Sequence, residues 1–171
     1  LTCGLPQGSP VSPILFLLYT NSLYRLGSIA QRFGYADDTA MLLVGESLDD
    51  TAARATLAIQ ELEAWGSTNA TSFDTGKAEV MHFSYKRTSD SPPVQQRETA
   101  KLPGPALCWL GVWLDRKLTF RAHLEKWAAK TRSVTHHLCS LCNTTRGPSA
   151  SAIRHAVRAR IEPTLFYSAD A

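Results

Sequence analysis

The stretch RFGYADDTAMLLVG, residues 32–45, places two adjacent acids, Asp37 and Asp38, between two apolar runs. Alternating apolar residues on either side of a short polar break predict a strand, a tight turn and a second strand. A two-residue hairpin turn favours Asn-Gly or Asp-Gly, because it needs positive φ. The segment ADDT has no glycine, so ease of turning does not account for it. Neighbouring carboxylates also repel unless a cation sits close by. Hard oxygen ligands of this kind suit Mg²⁺, which is commonly held by one or two carboxylates plus substrate phosphates. Successive strand residues face opposite sides, so the two acids are expected to be inequivalent, one the main ligand and the other peripheral. A solvated acidic turn is the plainer alternative, and for an isolated Asp-Asp pair it would be the stronger one.

The flanks extend the pattern. Upstream, GLPQGSPVSP (residues 4–13) holds two glycines that let backbone approach a ligand closely, and Gln7, whose amide both donates and accepts. A helix is predicted from about Pro13, with Ser12 as N-cap and Gly27 as its stop. Its run Ile14 to Tyr19 is apolar all round, which predicts burial on most sides. Downstream, residues 47–66 read as an amphipathic helix. Ser47 and Asp50 form its capping box, and Leu48, Ala52, Ala55, Ile59 and Leu62 share one stripe. AEVMHFS reads as another strand. Residues 86–106, rich in Pro, Ser and charge, read as a long loop or irregular hairpin. LCWLGVWLD reads as a strand kinked at Gly111. Two basic helices follow, at about 120–142 and 149–161. The first sets Leu124, Trp127, Thr131, Val134, Leu138 and Leu141 toward a core.

The charge is divided unevenly. Residues 1–115 carry 8 basic and 12 acidic side chains, net −4, whereas residues 116–171 carry 10 and 3, net +7. A basic end beside an acidic half suits a polyanionic partner, with a solvated helical face as the bland alternative. Hydrophobic residues make up 44% of the chain, enough for a sizeable core. No apolar run reaches membrane-spanning length. The four cysteines are too few and too irregularly spaced for a disulfide framework and read as free thiols. His136, His137, Cys139 and Cys142 raise a zinc site, set aside because the ligand spacing is incomplete. A first residue other than Met and an end at EPTLFYSADA read as a fragment of something longer.

Taken in order, LPQGSPVSP, YADD, FDTGKAEVMHFS and CWLGVWLD with LTF behind it resemble the successive motifs of reverse transcriptases of non-LTR (LINE-type) retrotransposons, most nearly fungal-type elements. The resemblance runs through nearly the whole chain. One departure is Lys77-Ala78-Glu79, where the family usually has Lys-Thr-Glu. The resemblance implies an α+β right-hand polymerase fold: residues 1–115 as the later part of the palm, with an antiparallel sheet and two packing helices, and residues 116–171 as a basic helical thumb. It implies RNA-directed DNA polymerisation, by nucleotidyl transfer from a dNTP to a primer 3′-OH on an RNA template. Two Mg²⁺ ions (Mn²⁺ as an alternative) would lie roughly 3.5–4 Å apart.

By the same resemblance Asp37 is the principal metal ligand and Asp38 the secondary one. Gln7, Gly8, Ser9, Pro10, Tyr35 and Ala36 would line the nucleotide and template. Lys77 would stabilise or protonate the departing pyrophosphate, a surface lysine being the plain alternative. Trp109, Leu110 and Gly111 would form the primer grip, with core packing as much of their role. Arg121, Lys126, Lys130, Arg132, Arg154 and Arg158 would hold the backbone of an RNA–DNA hybrid without reading sequence. The family's remaining metal-binding aspartate lies before the QGSP motif, and residues 1–36 contain no acid. The expectation is therefore a piece inactive by itself, working in the nucleus as part of a larger enzyme. A decayed or domesticated copy that binds nucleic acid without catalysis is the alternative.

Overall fold

The computed structural model describes residues 4–27, 29–85, 91–142 and 147–169. It divides into two compact units, residues 1–82 with 88–103, and residues 83–87 with 104–171.

The first unit is built around helix α2, Leu48–Thr68. Its start is the one the sequence predicts: Ser47 Oγ accepts from the Asp50 amide at 3.0 Å, satisfying one of the free donors of the first turn. The buried face carries Ala52, Ala58, Ile59, Leu62 and Trp65. Strands β1 (Gln31–Tyr35) and β2 (Asp38–Leu42) form the expected hairpin. Met41 on β2 packs against two apolar clusters, one of Leu23, Leu62 and Trp65, the other of Ala52, Ile59 and Val94. Arg32, the cross-strand partner of Met41, is also buried and reaches Glu61 Oε2 on α2 at 2.9 Å, with a further bond to the Leu26 carbonyl. The opposite face of the hairpin, with Phe33, Tyr35 and Leu42, is exposed.

Four sequence expectations change in this unit. Helix α1 spans Ser12–Thr20 and has Val11, not Ser12, at its N-cap, because Ser12 Oγ instead donates to the Pro6 carbonyl at 2.8 Å. It ends seven residues before Gly27, and a 3₁₀ turn, Leu23–Arg25, fills the interval. The helix is not buried on most sides: only Thr20 is buried, and Ile14, Leu17 and Leu18 are exposed, Leu18 by 68%. An apolar run reports a need for cover, and among the described residues little supplies it. Residues 78–84 form no strand. Val80 and His82 do turn inward, and the Ser84 amide donates to the Arg116 carbonyl at 3.2 Å, but among the described residues no ladder of such bonds forms to make the segment a strand. The 86–106 region does form a hairpin, β3 (Val94–Gln96) with β4 (Thr99–Lys101), and Val94 is fully buried near α2; residues 86–90 lie outside the described residues.

The second unit joins the hairpin β5 (Ala106–Trp109) and β6 (Val112–Asp115) to helix α3 (Arg121–Leu141) and to a C-terminal helix. The hairpin corrects the reading of a single kinked strand. Leu110 and Gly111 both take positive φ, +49° and +83°, which reverses the chain in two residues as in a type I′ turn. Grouped with residues 1–115 on sequence, this hairpin packs with the helices that follow it. On α3 the buried stripe differs from the expected one. Thr131 is buried as expected, but Leu124 and Leu141 are exposed and His123 is buried in their place. His123 wins the inward place because both ring nitrogens find backbone partners. The last helix is continuous from Ala150 to Leu165 but passes through a π segment, Val157–Ile161, between α4 (Ala150–Ala156) and α5 (Glu162–Leu165). Pro163 has no amide to donate backward, which accounts for a widened turn just ahead of it. The architecture among the described residues is thus mixed helices with three two-stranded antiparallel sheets.

Candidate functional site

The register of β1–β2 pairs Tyr35 with Asp38, leaving Ala36 and Asp37 as a two-residue loop. Ala36 has φ +51°. That is a position where hairpins normally use glycine, and an L-residue there is strained by about 1–2 kcal/mol. Left-handed non-glycine residues persist where the surroundings over-determine them, and they concentrate at functional sites. The ladder lies directly below the loop, and Tyr24 Oη lies so close to Gly34 that a Cβ there would stand 1.8 Å away.

The two acids are inequivalent, as adjacency implied. Asp37 lies in the loop; Asp38 opens β2 and shares the open face with Tyr35 and Phe33. Both are exposed, and neither carboxylate makes a hydrogen bond or ion pair among the described residues. As a donor set they fit a hard cation held by one or two carboxylates plus ligand phosphates. They fall short of an all-protein site, since among the described residues no three His, Cys, Asp or Glu side chains cluster.

The other expected site residues occupy separate positions. Gln7 and Gly8 lie in an exposed turn before α1, Gly8 with φ +88°. Ser9 Oγ accepts from the Val11 amide at 3.3 Å, and Pro10 is exposed. Lys77 lies in a turn organised by Asp74, whose Oδ1 accepts from the Gly76 amide at 2.9 Å. The ammonium of Lys77 stands 3.9 Å from Asp74 Oδ2 and is largely in solvent. No hydrogen bond or ion pair among the described residues joins Gln7–Pro10, Lys77 and the two acids.

In the second unit, Trp109, Leu110 and Gly111 form the end of the β5–β6 hairpin. Arg121 pairs with Glu125 at 3.4 Å. Lys126 and Lys130 lie over the rings of Trp113 and Trp127, at 4.8 and 4.2 Å from the centroids. Their charges thus rest on indole faces, a contact the helical spacing does not announce. Arg132, Arg154 and Arg158 are exposed without ion pairs among the described residues. His136, His137, Cys139 and Cys142 are exposed, and among the described residues they form no group of three potential metal ligands.

Sequence reasoning overlooked three residues. Asp115 organises the loop before α3: its Oδ1 accepts from the Lys117 and Thr119 amides, both at 3.1 Å, and Oδ2 from Thr119 Oγ1 at 2.9 Å. Those bonds, led by the Thr119 amide, hold its carboxyl below the usual aspartate value. The pattern Asp-x-x-x-Thr before a helix was the available signal. His123 and Tyr167 had none, since their partners are main-chain atoms distant in sequence.

Residues 1–132 match the family profile described as reverse transcriptase (RNA-dependent DNA polymerase). The chain belongs to the reverse transcriptase family. It is 28% identical over 141 residues to the probable RNA-directed DNA polymerase from transposon X-element of Drosophila melanogaster, covering 78% of this chain and 15% of that protein. It is 25% identical to the RNA-directed DNA polymerase from mobile element jockey of the same fly, over 98% of this chain and 19% of the relative. A third relative is the putative 115 kDa protein in type-1 retrotransposable element R1DM, again 25% identical, over 99% of this chain and 17% of that protein. The expected kinship with non-LTR elements therefore holds, with insect relatives in these three cases. The chain spans less than a fifth of the length of each of these relatives. No solved structure gives a significant match.

Proposed function

We propose that this chain is part of the RNA-directed DNA polymerase of a non-LTR retrotransposon and carries its catalytic acidic hairpin. The observation that carries the reading is the exposed Asp37–Asp38 pair, at the junction of a strained two-residue turn and β2 inside the family-matched region. In this reading residues 1–115 belong to the palm and residues 116–171 to the thumb of a right-hand polymerase. The partners are an RNA template, a DNA primer, their hybrid and a dNTP, and the workplace is the nucleus.

Asp37 and Asp38 would hold divalent ions, Mg²⁺ by the hardness of their oxygens. Bound there, the ions would supply charge neutralisation at the phosphates. The chain's own contributions are distinct. The turn fixes two carboxylates at an open tip, so a triphosphate reaches them without displacing protein. Tyr35 and Phe33 offer an apolar floor beside Asp38. Gln7 and the flexible Gly8 backbone suit a base or sugar edge. The solvent-exposed Lys77 ammonium, paired with Asp74 at 3.9 Å, suits a phosphate leaving group. In the second unit, Arg132, Arg154 and Arg158 suit phosphates of the hybrid.

The test uses a longer polymerase containing these residues. Asp37→Asn should abolish primer extension while hybrid binding persists; extension at the parental rate would refute the reading. The second reading is a non-catalytic nucleic-acid-binding remnant. Primer extension by the 171-residue chain itself would refute that second reading and support the first.

A further inference from the structure

The β5–β6 turn is tied down from outside. Leu110 carries a left-handed backbone that costs an L-residue energy, yet it sits at the end of a short hairpin where fraying would relieve it. Two aromatic side chains oppose that relief. Tyr167 Oη donates to the Leu110 carbonyl at 2.9 Å, and Trp127 Nε1 donates to the Gly111 carbonyl at 3.2 Å. The strain of one such residue and the net worth of two hydrogen bonds are of the same order, so the pair suffices to hold the turn.

The donors are themselves fixed. The Trp127 and Tyr167 rings stack with centroids 4.4 Å apart and planes 24° off parallel. His123 Nδ1 accepts from the Trp113 amide at 3.3 Å, which leaves Nε2 to carry the proton and donate to the Tyr167 carbonyl at 3.0 Å. Hairpin, α3 and C-terminal segment thus close a ring of hydrogen bonds. Gly111 belongs to the fit: a Cβ there would meet the Tyr167 ring at 2.9 Å.

We propose that Trp127 and Tyr167 are positioning residues that clamp the Leu110–Gly111 turn so that it presents a fixed surface to the 3′ end of a bound strand. This rests on the reading of Trp109–Gly111 as the grip in the proposed polymerase. Holding an end in register demands placement finer than an ångström, which an unanchored hairpin end does not provide. Neither residue touches the reacting atoms; each acts through the turn's backbone.

The experiment compares the 171-residue chain with its Tyr167→Phe and Trp127→Phe variants, each of which keeps an aromatic ring and loses one donor. Amide hydrogen exchange reads the turn. The ratio of affinities for an RNA–DNA hybrid with a recessed 3′ end and for the blunt hybrid reads the grip. Urea midpoints control for folding. Exchange at Val112, which pairs with Trp109, should rise about tenfold in each variant, and the end preference should fall about fivefold, the scale of one lost hydrogen bond. Unchanged exchange, or faster exchange with an unchanged end preference, would overturn the proposal while leaving the polymerase reading intact. A parent chain with no end preference would overturn the polymerase reading of this turn, and the grip with it. If Trp127→Phe unfolds the chain, Tyr167→Phe decides alone.

Discussion

Gly34 stands one residue before Tyr35, and replacing it with alanine tests how the acidic turn is held. At an unobstructed strand position, Gly→Ala stabilises by about 0.5–1 kcal/mol through the unfolded chain's lost freedom. Here the added Cβ would stand 1.8 Å from Tyr24 Oη, 2.3 Å from Cζ and 2.7 Å from Cε1. Ordinary carbon contacts are about 3.5–4.0 Å, so the phenol must retreat by well over an ångström. It is rooted in the 3₁₀ turn Leu23–Arg25, whose Leu23 is 2% exposed in the cluster with Leu62 and Trp65. Retreat therefore disturbs the core, and overpacking of this kind costs about 1–3 kcal/mol. The sign reverses: Gly34→Ala should destabilise by about 1–2 kcal/mol net, seen as a lower urea midpoint at constant m-value. The decisive arm is the double variant. In a Tyr24→Ala background the obstruction is gone, and Gly34→Ala should become neutral or stabilising, a coupling of about 1–3 kcal/mol. An equal cost in both backgrounds would refute the argument, because the penalty would then not arise at Tyr24.

Ala36→Gly should stabilise the hairpin by about 1 kcal/mol by relieving the left-handed alanine, again read from the urea midpoint; no gain would mean the turn is unstrained. Glu61→Gln leaves the buried Arg32 guanidinium without its counter-charge and should cost about 1–3 kcal/mol, less than a fully buried pair because Glu61 is partly in water. Asp115 has its carboxyl pKa lowered in the folded chain, so the loop stability it supplies is intact above the unfolded aspartate value and is lost as pH falls through the folded one. Amide protection of Lys117 and Thr119 should fade in that acid window, and Asp115→Ala should remove it at neutral pH. Binding of an RNA–DNA hybrid should weaken steeply with salt and ignore sequence; affinity indifferent to salt would count against the thumb assignment.

Local signals carried much of the fold. The hairpin at 31–42, the Ser47 cap and the stripe of α2 were legible because propensity, turn chemistry and period agree there. The β5–β6 turn was not, because its reversal uses Leu110 in a conformation the residue disfavours, and Trp127 and Tyr167, 16 and 57 residues away, hold it. The inward face of α3 was misjudged for a similar reason: hydropathy favours Leu124, whereas two backbone partners favour His123. The exposed acidic pair at the hairpin end was legible in the sequence, since adjacent carboxylates without glycine mark the turn. How Gln7, Lys77 and the pair come together is not written in spacing, and the described contacts leave them apart.

Helix α1 has a practical consequence. Ile14, Leu15, Leu17, Leu18 and Tyr19 together offer water an apolar rod two turns long. Surfaces of that kind find company, whether a proper partner or another copy. Purified alone, the chain should self-associate as its concentration rises, and mild detergent should disperse it. Replacing Leu17 and Leu18 with lysine is the shortest route to a preparation fit for every measurement above, since neither side chain contributes to the buried clusters.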